Sequence, residues 1–71
     1  MSDRTLADRL NDVMKKKNMN SGMLEIKTGI SARMIRNYQK GSATPGGYCL
    51  KMLAKGLGVS ADWLLGLEEE Q

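Results

Sequence analysis

Three glycines set the length of what this chain can build. Gly29, Gly41 and Gly58 each follow an apolar run of helical period, and Ser31 and Ser60 stand just beyond two of them. Glycine enters the left-handed backbone region without steric cost and so ends a helix. A serine hydroxyl accepts from the free amides that begin one. Stops followed at once by starts leave room for short helices joined by tight turns.

The apolar spacing fills in those helices. Leu6, Leu10, Val13 and Met14 share one stripe, flanked by Ala7. Thr5 caps its start, with Asp8 in the first turn, and the lysines at 15–17 end it where cations suit the helix dipole. A first helix therefore runs over 5–17, with Asp12 and Lys16 as an i,i+4 pair. "NMNSG" breaks it. A second helix covers 21–28, capped by Asn20 or Ser21, with Leu24 and Thr28 inward. A third covers 32–40 after Ser31, with Ile35 and Tyr38 inward, and the loop "SATPGG" follows. Leu50, Leu53, Ala54 and Leu57 mark a fourth helix, about 46–57. Ser60 caps a fifth, with Asp62 in its first turn and Trp63, Leu64 and Leu67 available for burial. No segment alternates with period two for long enough to form a strand. The expectation is an all-α, compact five-helix domain over 1–67, followed by an acidic solvated tail at 68–71.

Composition narrows the chemistry. Among 71 residues there is one cysteine, Cys49, and no histidine. An intrachain disulfide is impossible, and zinc has no Cys/His cluster to hold it. A reduced, cytoplasmic setting fits. There is no apolar signal core and no membrane-length apolar run. Catalysis lacks a paired acid–base setting, so no enzyme, cofactor, metal or small-molecule substrate is expected. Charge is unevenly placed. Residues 13–55 carry nine Lys/Arg against the single acid Glu25, while residues 1–12 sum to −1 and residues 56–71 to −4. A basic middle between acidic ends suits a polyanion, although lysines also serve plain solubility.

The stretch "TGISARMIRNYQKG" at 28–41 concentrates that charge. Two short helices around a tight glycine turn form a helix-turn-helix unit. Leu24, Thr28, Ile30, Ile35 and Tyr38 would be its core, which leaves Ala32, Arg33, Arg36, Asn37 and Lys40 outward. A helix fits the major groove of B-DNA, and Arg and Asn bond bidentately to guanine and adenine edges.

From Arg9 to Leu67 the chain resembles the Cro/CI-type (XRE-like) helix-turn-helix family of phage and bacterial repressors. The carriers are "RL" at 9–10, "TGIS" at 28–31, "MIRNYQKG" at 34–41, Pro45, "LKMLAKGLGVS" at 50–60 and "DWLLGL" at 62–67. Their full order and spacing make the signal. The resemblance implies a lambda-repressor-like domain that binds double-stranded operator DNA, usually as a homodimer on a palindrome. It assigns base reading to Ala32, Arg33 and Asn37, with Arg36 close by. It assigns phosphate contact to Ser21, where a Gln is usual, and to Lys40, Ser42 and Thr44.

Two positions depart from the family. Glu25 stands where Ala is usual, at the close approach of the two helices. It is expected to snorkel outward, pair with Lys27 or Arg36, or open the crossing, and so to be a tolerated misfit. Tyr38 replaces the usual Trp or Leu and needs a partner for its hydroxyl. Elsewhere Trp63 reads as core, Cys49 as a packed thiol, and Met34 as a neighbour of the reading face. Leu65 and Leu67 project from a short helix and are expected to form a two-fold dimer contact. Two other readings stay open: an antitoxin-like DNA-binding module with a protein toxin partner, and a helical protein-interaction adaptor.

Overall fold

The computed structural model describes residues 5–68. Most of the expected acidic tail, Glu69 to Gln71, lies outside the described residues. Five helices form: α1 (Leu6–Lys16), α2 (Ser21–Thr28), α3 (Ala32–Lys40), α4 (Gly47–Leu57) and α5 (Ala61–Leu65). The body measures 33 × 22 × 21 Å. The described residues contain no strand, and no helix among them is long and apolar enough to cross a membrane.

The caps follow the local chemistry. Thr5 and Asp8 form a reciprocal capping box: the Thr5 hydroxyl accepts from the Asp8 amide, and the Asp8 carboxylate accepts from the Thr5 amide. Asn20, rather than Ser21, caps α2 by accepting from the Met23 amide at 2.8 Å. Ser31 and Ser60 cap α3 and α5 through the amides of Met34 and Trp63. Helix α4 begins at Gly47, with Gly46 as its extended cap residue and no side-chain cap hydrogen bond.

Helix α3 packs on α1 and α2, α4 packs on α2 and α5, and α5 returns to α1. The shared core is Leu10, Val13, Met14, Leu24, Ile30, Ile35, Tyr38, Leu53, Ala54, Leu57, Trp63 and Leu64. This arrangement puts α1 and α2 behind α3 and leaves the opposite side of α3 open. The Tyr38 hydroxyl lies beside the Cys49 side chain. Burial first, and the Cys49 thiol second, push that hydroxyl above its ordinary pKa of 10.0.

Two long-range clamps fix the outer helices. Arg9 lies over the Trp63 ring, with its guanidinium carbon 5.1 Å from the centroid, and donates to the Trp63 carbonyl at 3.2 Å. Asn11 of α1 and Gln39 of α3 exchange hydrogen bonds: Asn11 Nδ2 donates to the Gln39 carbonyl, and Gln39 Nε2 donates to Asn11 Oδ1, both at 2.9 Å. The expected Asp12–Lys16 pair is present at 4.0 Å.

Candidate nucleic-acid interface

The turn between α2 and α3 is set by one buried threonine and one glycine. Thr28 Oγ1 donates back to the Leu24 carbonyl at 2.8 Å and accepts from the Ile30 amide at 3.1 Å. It thereby satisfies two backbone groups where the helix ends inside the core. Gly29 then takes a φ of +80° and donates to the Glu25 carbonyl. Ile30 enters the core, Ser31 caps, and α3 starts across the top of α2.

Along α3, Ile35 and Tyr38 are buried, while Arg33, Arg36 and Lys40 are exposed and Ala32 and Asn37 are half-buried. Arg33, Arg36, Asn37 and Lys40 fall at i, i+3, i+4 and i+7, so they share one face. Neither α2 nor α3 carries an acid in its first turn, whereas α1 and α5 do. The positive end of α2 therefore meets no acid of its own first turn, while that of α3 receives the Glu25 carboxylate.

Arg36 and Ser21 meet: Arg36 Nη1 donates to Ser21 Oγ at 3.1 Å. This joins the head of α2 to the middle of α3 and leaves the Ser21 hydroxyl proton available to an acceptor outside. Ser42 behaves in the opposite way. Its hydroxyl donates to the Asn37 carbonyl at 3.2 Å, so its one proton is turned inward. Lys40 and Thr44 are exposed at the end of α3 and in the loop after it. Asn37 Nδ2 leans on the Met34 sulfur at 3.9 Å, which sets Met34 beside the face as expected.

Glu25 turns outward, the first of the three expected arrangements, and is exposed. It pairs with neither Lys27 nor Arg36. Its Oε1 accepts from the Ala32 amide at 3.1 Å and so satisfies the first amide of α3. Sequence reasoning missed this contact because the two residues are separated by a turn. It also missed Ile26, an apolar side chain that is 85% exposed on α2, and the Asn11–Gln39 clamp that steadies the far end of α3.

The P22 c2 repressor in complex with synthetic operator 9T superposes with a TM-score of 0.86 at 26% identity, covering 92% of this chain and 98% of that one. The fold is that of the Cro/CI-type helix-turn-helix domains. The solution structure of the P22 c2 repressor DNA-binding domain, residues 1–76, agrees with a TM-score of 0.85 at 26% identity, over 100% of this chain and 96% of that one. No family model and no curated protein matches the chain. Within that fold the chain keeps the expected turn, with Gly29 at its centre and Thr28, Ile30, Ile35 and Tyr38 buried around it.

Proposed function

We propose that the chain is a sequence-specific DNA-binding transcriptional regulator, a Cro/CI-like repressor that binds a palindromic operator as a dimer. The observation that carries this reading is the open α3 face, lined by Arg33, Arg36, Asn37 and Lys40. It sits on a domain with the fold of a repressor solved on its operator. On this reading α3 enters the major groove. Ala32, Arg33 and Asn37 meet base edges, with Arg36 beside them. Ser21, at the head of α2, donates its free hydroxyl proton to a phosphate. Lys40 and Thr44 hold the backbone on the far side, with Ser42 after a rotation of its hydroxyl. A dimer laid across a promoter represses by occluding it, and most of its affinity is phosphate contact that weakens with salt.

The test is selection of binding sites from random duplex DNA, followed by gel shift of the recovered sequence against scrambled DNA. Recovery of a palindrome bound at least a thousandfold more tightly than scrambled DNA is the expected result. Recovery of no sequence would leave a protein-interaction adaptor in place of a repressor.

A further inference from the structure

One carboxylate stands at the leading end of α3. Glu25 is exposed, its Oε1 is held 3.1 Å from the Ala32 amide, and it is the single acid between residues 13 and 55. As a cap alone it uses one oxygen, while a carboxylate offers about four acceptor sites. Ala32, at a reading position, brings only a methyl group. The carboxylate hung on its backbone supplies at the same place the polar group that Ala32 lacks.

A negative acceptor in a DNA groove is selective by repulsion as well as attraction. In the major groove guanine presents N7 and O6, both acceptors, and thymine presents O4 and a methyl group. Adenine has an N6 donor, but its N7 acceptor lies beside it. Cytosine presents the N4 amino donor flanked on its own ring by C5–H rather than by an acceptor, and Glu accepts from it. Resting on the DNA-binding reading above, we propose that Glu25 is a specificity-determining residue. Its carboxylate, positioned by the Ala32 amide, accepts from a cytosine N4 amino group beside Ala32 and disfavours the other three bases there.

The experiment is site selection with the parent chain, Glu25→Gln and Glu25→Ala, with thermal melting of each. Glu25→Gln keeps the shape and an oxygen for the Ala32 amide but turns the second oxygen into a donor. The expected parent preference is cytosine at one position of each half-site, about tenfold over the other bases. Both variants should lose that preference at that position alone, and Glu25→Ala should bind the other three bases there more tightly than the parent does. A cap with no reading role predicts otherwise: Glu25→Gln selects the parent's site, and Glu25→Ala weakens every site evenly. That outcome overturns the proposal and leaves the DNA-binding reading standing. A parent chain that selects no DNA overturns both.

Discussion

Gly56 of α4 stands so close to Thr28 of α2 that a Cβ added to it would lie 2.7 Å from Thr28 Cγ2. The threonine cannot turn aside, because its hydroxyl is bound to both Leu24 and Ile30. Replacing a mid-helix glycine by alanine ordinarily gains about 1 kcal/mol. Here overpacking, at about 1–3 kcal/mol, wins. Gly56→Ala should lower the melting temperature by about 5–10 °C. Gly47→Ala, where a Cβ meets nothing within 4 Å, should not. Adding Thr28→Ser, which deletes the clashing methyl and keeps the hydroxyl, should restore most of the loss. Circular dichroism melts of the four chains check this.

Tyr38 makes stability depend on alkaline pH. Its folded-state pKa is raised above 10.0 by burial and by Cys49, so the folded chain holds the phenol proton more tightly than the unfolded chain does. The associated stability is full below pH 10 and is lost as pH rises through the folded value. Tyr38→Phe should flatten the fall in stability that sets in as pH rises above about 10. Urea unfolding of both chains across that range is the measurement. Parallel curves would remove Tyr38 as the cause.

What the sequence discloses and what it hides divide by distance along the chain. Thr5 with Asp8, Ser31 with Met34 and Ser60 with Trp63 are three residues apart, so helix geometry alone brings them together. The core faces of α1 to α4 follow from period for the same reason. Glu25 with Ala32, Arg36 with Ser21, Asn11 with Gln39 and Arg9 with Trp63 are 7 to 54 residues apart. Those contacts exist only once helices cross, and no local rule reports the crossing. The partner of Glu25 is a backbone amide that a turn delivers, so weighing its charge against side chains alone does not find it. Asn18, with a φ of +54°, takes the left-handed conformation just after α1.

Arg33 is expected to carry base discrimination. It is exposed in the first turn of α3, the end that reaches furthest into a groove. Arg33→Ala should cost about 1–3 kcal/mol on the preferred site and relax selection at one or two base pairs. Titrations on the preferred site and on random DNA separate the roles, since equal losses on both would make Arg33 a phosphate contact.

Lys40 lies at the other end of the helix and should act through charge alone. Lys40→Ala should weaken all sequences alike and reduce the slope of log affinity against log salt by roughly one. A salt series by fluorescence anisotropy reads that slope, and an unchanged value takes Lys40 out of the interface.

Assembly is expected to pass through the C-terminal end. Helix α3 has nine residues, about 13 Å of helix, and the whole body is 33 Å long. One copy therefore presents one reading helix to one groove, while half-sites of a palindrome lie about 34 Å apart. A palindromic site is therefore expected to take two copies, related by its two-fold axis. Around α5, Trp63 and Leu64 are buried in the monomer, but Leu65 is 48% and Leu67 74% exposed. The Gly66 turn that follows α5 brings the Leu67 amide back to the Asp62 carbonyl at 2.8 Å, so Leu67 is held beside the helix. Two exposed leucines on a clamped turn make a small self-complementary patch, enough for a weak isologous contact over residues 58–67. The free chain should be largely monomeric at micromolar concentration and pair on DNA. Leu65→Asp replaces an exposed side chain, so the monomer should melt as the parent does, while cooperative occupation of the two half-sites is lost. Sedimentation with and without selected DNA decides the matter: two copies per palindrome for the parent and independent single occupancy for Leu65→Asp are expected. A pair indifferent to both leucines would move the contact to another face, with α1 the next to test.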